Sequence, residues 1–257
     1  MGPLPPGGPL KSAAQRAWLA IPLPRLALRR DGASRALAAA LRDTALGRVP
    51  PEEREWAERI ERRRRALIAS AATRSGADLG VVDFAAAVEW MSVPPVLGRF
   101  LMRLVRELRP AMAVELGTGF GISGAYQGAA LELNGWGRLV TIDVAAAWSG
   151  VAGEGFAALG LERVEAVVVP DAGIGDAIAA AAPIDFALVD SDHRRAQTLS
   201  ALDRLAPHLA PGAAVAFDDV GFTSSEMNQA WREIRADPRV ASAARFARMG
   251  VAVAAGR

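Results

Sequence analysis

The chain has 257 residues and no cysteine. That removes a disulfide framework, a thiolate zinc site and a cysteine nucleophile, and it fits a reducing compartment. Lys11 is the only lysine, so almost every cationic group is an arginine and a lysine general base is excluded beyond that position. Tyr126 is the only tyrosine, and His193 and His208 are the only histidines. No run of 18 or more apolar residues suggests a membrane span. The start, Met1 to Pro9, lacks the continuous apolar core of a signal peptide. The expectation is a cytoplasmic protein. What remains is apolar: 51% of the residues are hydrophobic, enough for a sizeable core.

The formal charge of +2 conceals an asymmetry. Residues 1–110 carry 19 basic and 11 acidic residues, whereas residues 111–257 carry 11 and 17. The basic half could face an anionic surface, but no basic and aromatic residues interleave as single-strand binders require. No nucleic-acid partner is expected, and the run Arg62–Arg65 reads as a solvated face paired with nearby glutamates.

The chain divides into three segments. Residues 1–31 read as a flexible or loosely docked arm. Residues 32–110 read as a helical cap, with helices over 33–47, 51–73 and 95–109. Pro51 and the glutamates Glu52, Glu53 and Glu55 open the second helix as the helix dipole favours. These helices carry more apolar surface than they bury alone, which predicts a cover over the active-site edge or a homodimer contact. From residue 111 strands and helices alternate, the pattern of a parallel sheet with helices on both faces. Strands are predicted at 111–116, 138–143, 164–169, 184–190, 212–218, 240–246 and 249–254. The last two, joined by a short turn near Met249 and Gly250, predict an antiparallel hairpin at one edge.

The most informative stretch is Ala113-Val114-Glu115-Leu116-Gly117-Thr118-Gly119-Phe120-Gly121-Ile122-Ser123. A strand ends in an acid, a glycine-rich turn follows, and a helix begins. Such a turn lets the backbone approach a ligand, and the helix start offers unpaired N–H groups. The motif resembles the S-adenosylmethionine (SAM) loop of class I methyltransferases. With the terminal hairpin, the fold implied is their Rossmann-like seven-stranded α/β sheet, here carrying an N-terminal helical extension. The resemblance implies cofactor contacts from Gly117, Thr118, Gly119 and Gly121. Glu115 would help hold the methionyl amino group and Ser123 the methionyl carboxylate. Asp143, ending the second strand one βα unit later, would accept the ribose hydroxyls. Asp171 lies where the family contacts adenine. Each residue also has a plain reading: Ser123 as a helix cap, Asp143 and Asp171 as turn formers.

Carboxylates also end strands four and five: Asp190 in Val189-Asp190-Ser191-Asp192-His193, and Asp218 and Asp219 in Phe217-Asp218-Asp219-Val220. Clustered hard oxygen donors suit Mg²⁺ or another divalent cation; alone, such acids cap the following helices. The pattern resembles divalent-cation-dependent O-methyltransferases, including the catechol, caffeoyl-coenzyme A and macrolide-sugar enzymes. It implies a cation held by Asp190, Asp218 and Asp219. Where two of those groups have a base lysine, this chain has His193, which can take a hydroxyl proton at neutral pH with Asp190 beside it. The similarity extends over about residues 90–255. It departs at Gly221-Phe222-Thr223, where a histidine and a tryptophan commonly follow the acid pair.

The function implied is SAM-dependent O-methylation of a small-molecule hydroxyl. Two alternatives stay open: a nicotinamide-dependent oxidoreductase, and a non-catalytic SAM-fold interaction protein. The first is disfavoured because Gly119, Gly121 and Gly124 match the dinucleotide fingerprint too late after the strand, and no Tyr-x-x-x-Lys pair exists.

Overall fold

A computed structural model describes residues 29, 31–72, 80, 83–190, 192–220 and 225–256. The predicted arm lies outside the described residues apart from Arg29 and Asp31, as does Gly221-Phe222-Thr223.

Strands and helices follow the apolar pattern. Along β1 (Met112–Leu116), Ala113 faces one core while Met112, Val114 and Leu116 face the other. This is the two-residue period of a strand buried on both sides. Six further strands complete the sheet: β2 (Arg138–Asp143), β3 (Val164–Val168), β4 (Ile184–Val189), β5 (Leu209–Phe217), β6 (Val240–Phe246) and β7 (Met249–Ala254). The order is β3-β2-β1-β4-β5-β7-β6. The first five strands run parallel, and β7 inserts antiparallel between β5 and β6. The turn of this hairpin is Ala247-Arg248, two residues earlier than the sequence suggested.

Among the described residues, four α-helices precede the sheet: α1 (Gly32–Ala45), α2 (Pro51–Ala69), α3 (Phe84–Met91) and α4 (Pro95–Leu108). Asp31 caps α1 and Asp83 caps α3 through backbone N–H groups of Ser34 and Ala86. The remaining helices are α5 (Ile122–Asn134), α6 (Ala146–Leu159), α7 (Ile174–Ala180), α8 (Arg195–Leu205) and α9 (Ser225–Ala236). Residues of α1, α2, α4, α5 and α6 share one core with the sheet, including Leu37, Ile60, Phe100 and Tyr126 against Phe186 and Leu188. Helices α7, α8 and α9 cover the other face through Ile178, Leu202 and Trp231. The helical extension is therefore a full layer of the fold.

The arginine run departs from its solvated expectation in part. Arg64 is buried, donating to both carboxylate oxygens of Glu61 and, at 2.6 Å, to the carbonyl of Val93. Arg63 reaches the Val151 carbonyl on α6. Tyr126 donates to Glu61 at 2.9 Å. These bonds tie α2 to α5 and to the segment entering α4.

Candidate functional site

Strand register sets the site. Leu116 pairs with Ile142 on one side and Val189 on the other, and Val189 pairs with Phe217. The residues just beyond, Gly117, Asp143, Asp190 and Asp218, are thereby brought to one edge of the sheet. The ladder runs on into these turns: Gly117 N–H donates to Ile142, Asp190 N–H to Leu116, and Asp218 N–H to Val189.

The glycine turn is held by its own acid. Asp143 Oδ2 accepts the N–H groups of Thr118 at 2.9 Å and Gly119 at 3.1 Å; Oδ1 accepts Ala145 N–H at 3.0 Å. Gly117, Gly119 and Gly121 all have positive φ, at 100°, 49° and 74°. A Cβ on Gly119 would meet nothing within 4 Å, which marks the open side of the turn. A Cβ on Gly121 would lie 2.8 Å from that of Ala152, so this glycine lets the turn pack on α6. It also opens α5, leaving Ser123 as the helix's second residue.

Glu115 lies beneath the turn with no exposure. Gln127 donates to Oε1 at 2.8 Å and Thr141 to Oε2 at 2.7 Å, and Ser123 also bonds the carboxyl group. Thr141 spends its proton on Glu115, so Thr118 must donate in the 2.8 Å bond between the two hydroxyls. Burial pushes the Glu115 pKa up to about 8, with Asp190 adding to the rise and the hydrogen bonds opposing it.

The second acid group is built differently. His193 Nε2 lies 3.3 Å from Asp190 Oδ1, and Nδ1 lies 3.5 Å from Asp219 Oδ2. The Asp190 hydrogen bond raises the His193 pKa, partial burial opposes it, and Asp219 and Asp218 add to the rise. Asp218 is 3% exposed. Burial and then Asp190 push its pKa up to about 7, against the pull of Arg248. Arg248 Nη2 donates to Asp218 Oδ2 at 2.9 Å, and Nη1 lies 3.0 Å from Asp219 Oδ1. Asp219 itself adopts φ 57°. Asp190, His193 and Asp218 each present a ligand atom within 4.8 Å of the others, and Asp218 Oδ1 is buried without a hydrogen-bond partner. That donor set fits a divalent cation. Asp219 falls outside the trio, turned toward Arg248 and His193.

Both groups adjoin one cleft of about 1020 Å³. Gly117, Thr118, Gly119, Ser123, Asp143, Asp171, Asp190 and His193 line it. Glu115, Gly121, Asp218 and Asp219 are not in its lining. Asp171 is at the rim, exposed and 3.6 Å from Arg204. Met91, Ser92, Phe120 and Trp148, which also line the cleft, and Arg248 were not among the expected site residues. Phe120 and Trp148 pack at 4.9 Å between ring centroids. Their only sequence signal was apolar character next to the turn and the β2 acid.

The sheet order, with its antiparallel seventh strand, is that of the class I methyltransferase fold. Residues 114–220 match a family model described as a methyltransferase domain. No curated protein matches the chain. Among solved structures it resembles the O-methyltransferase TomG of Streptomyces achromogenes, which is involved in tomaymycin synthesis and was solved with SAM. The identity is 21%, over 74% of this chain and 90% of that one, with a TM-score of 0.57. An O-methyltransferase from Bacillus cereus, in complex with S-adenosylhomocysteine (SAH), is 21% identical over 76% and 99%, with a TM-score of 0.56. The SAH-bound Podospora anserina methyltransferase PaMTH1 is 13% identical over the full length of both chains, with a TM-score of 0.56. No helix among the described residues is long and apolar enough to cross a membrane.

Proposed function

We propose that this protein is a SAM-dependent O-methyltransferase acting on a hydroxyl group of a small molecule, with assistance from a divalent cation. The observation that carries the reading is one cleft with two unlike ends: a glycine turn on Asp143 at one, and Asp190 with His193 at the other. Gly117, Thr118, Gly119, Gly121 and Ser123 would cradle the cofactor. Asp143 would receive the ribose, Glu115 would face the methionyl ammonium through the turn, and Asp171 would contact the adenine. Asp190 and Asp218, with Asp219 behind them, would hold the cation. Bound SAM would supply an activated methyl group for in-line displacement by the acceptor oxygen, its S–CH₃ bond breaking to leave the neutral thioether SAH, and a cation held here would lower the pKa of the hydroxyl. His193 takes the hydroxyl proton in its neutral form, and Asp190 orients the ring and stabilises the imidazolium that results.

Met91 and Ser92 on the cleft wall support a covering role for the N-terminal helices. Trp90 is 73% exposed beside them, which keeps the homodimer expectation within the proposal, measurable by light scattering.

The test is direct. Calorimetric titration is expected to show SAH binding and no NADH binding, and mass spectrometry to find SAM or SAH carried through purification. Radiolabelled SAM with a panel of phenols and sugars is expected to yield methylated product that EDTA suppresses and Mg²⁺ restores. Binding of NADH alone would favour the oxidoreductase. SAH binding with no transfer to any acceptor would favour the interaction protein. Full transfer in EDTA would remove the cation and leave the acids as turn and histidine supports.

A further inference from the structure

The acid cluster already holds a cation of the protein's own. In the antiparallel pairing of β5 with β7, Phe217 lies opposite Gly250. Continuing that register by two residues sets Arg248 opposite Asp219, so the hairpin turn delivers a guanidinium to the acid pair. Its side chain is 17% exposed and touches both carboxylates, at 2.9 and 3.0 Å. Two adjacent carboxylates, one of them fully buried, repel each other unless a positive charge lies beside them. Arg248 supplies that charge in a forked geometry suited to two acceptors. It leaves Asp218 Oδ1 as a buried oxygen with no hydrogen-bond partner, beside the Asp190 and His193 ligand atoms.

We propose that Arg248 is the residue that sets the affinity of this cluster for a divalent cation, competing with the cation for Asp218 and Asp219 while holding both carboxylates in place. The inference rests on the cation reading above. An ion that takes both acids must displace the guanidinium. An ion that takes Asp218 Oδ1 with Asp190 must sit near a fixed positive charge. In either arrangement the arginine weakens binding, so the ion is exchangeable and the cluster keeps its shape when the ion leaves. The guanidinium lies within 3.0 Å of both acids, so its loss is expected to change cation affinity by a measurable factor.

The probe is Mn²⁺, titrated into the full chain and followed by the electron paramagnetic resonance of the free ion. Wild type is compared with Arg248→Gln and Asp218→Asn, and SAH affinity reports that each variant is folded. The expected result is Mn²⁺ binding at least about tenfold tighter in Arg248→Gln and abolished in Asp218→Asn. Arg248→Gln is repeated in an Asp219→Asn background, where the missing acid relieves the repulsion that could unfold the single variant. There too, loss of the arginine is expected to tighten binding. Equal or weaker Mn²⁺ binding without Arg248 overturns the inference alone. Mn²⁺ uptake that survives Asp218→Asn also overturns it, because the ion is then elsewhere. If SAH binds but Mn²⁺ binds to neither wild type nor Arg248→Gln, the cation reading falls and this inference with it.

Discussion

The two ends of the cleft solve the same problem in different ways. Each puts carboxylates at the ends of neighbouring parallel strands. At the β1–β2 end, both acids are satisfied by the glycine turn, β2 and α5: Asp143 by three backbone N–H groups, Glu115 by Thr141, Gln127 and Ser123. At the β4–β5 end the acids outnumber nearby donors. They are held by a histidine between Asp190 and Asp219 and by Arg248 from the β6–β7 hairpin, and Oδ1 of Asp218 and of Asp219 is buried without a hydrogen bond. A self-satisfied end is built to keep one shape around a ligand. An end with spare negative charge is built to take up a proton or a cation.

The sharpest break in this comparison comes from the glycines of the first end. Gly121→Val puts a β-branched residue at φ 74° and drives its Cβ to 2.8 Å from that of Ala152. Strain of about 1–3 kcal/mol and overpacking of similar size are expected to lower the melting temperature clearly and to abolish SAH binding. Gly119→Val meets open space and is expected to melt closer to wild type, while still losing SAH because its side chain projects into the open side of the turn. Thermal melts and SAH calorimetry on the pair check this. Equal destabilisation of the two would refute the assigned faces.

Asp143→Ala comes next. Loss of a carboxylate that accepts charged hydrogen bonds costs about 1.5–3 kcal/mol, or roughly ten- to 150-fold in SAH affinity. Asp143 also braces Thr118 and Gly119, so Asp143→Asn, which keeps one acceptor oxygen, is expected to fall between. Unchanged SAH affinity in the folded alanine variant would remove Asp143 from the site.

The second end is expected to show itself in pH. The His193 pKa is raised, first by Asp190, and only neutral imidazole accepts a proton. In the cation-free protein the imidazole is therefore expected to titrate above 6.5, read from its ring-proton shifts by NMR in EDTA. Asp190→Asn removes the main cause of the shift and is expected to move that titration lower. For stability the sign is opposite. The charged histidine's contribution is complete below 6.5 and is lost as pH rises through the raised value. A titration that stays put in Asp190→Asn would detach Asp190 from the imidazole.

How much of this was legible in the sequence follows the same division. The glycine turn and the acids at 115, 143, 190, 218 and 219 stand at strand ends, where apolar runs stop, so the alternating pattern located them and the sheet. Residues that act across the fold left no local mark. Arg248 lies on a turn 30 positions beyond Asp218 and matters only because β7 inserts beside β5. Arg64 sits in a run of four arginines and is buried because α2 packs on the segment around Val93. Helix α3 is short and rich in alanine, too brief to establish a period.

The smallest expected effect concerns Glu115, and it tests whether the quiet end of the cleft is as inert as its hydrogen bonds suggest. Burial holds its pKa near 8, so at pH 7 the carboxyl group is mostly protonated in the free protein. An ammonium brought close, as the methionyl end of SAM would bring it, favours the carboxylate and lowers that pKa. Binding at pH 7 should then release up to about one proton. Calorimetry in two buffers of different ionisation enthalpy measures that number directly, and Glu115→Gln is expected to abolish the release while costing less affinity than Asp143→Ala. The same shift sets the stability of the free protein: with a folded pKa above the unfolded value, the contribution is complete below about 4.5 and is lost as pH rises through about 8. SAM binding that releases no proton in wild type would mean that Glu115 does not sense the ligand, and would leave it as the neutral brace beneath the turn.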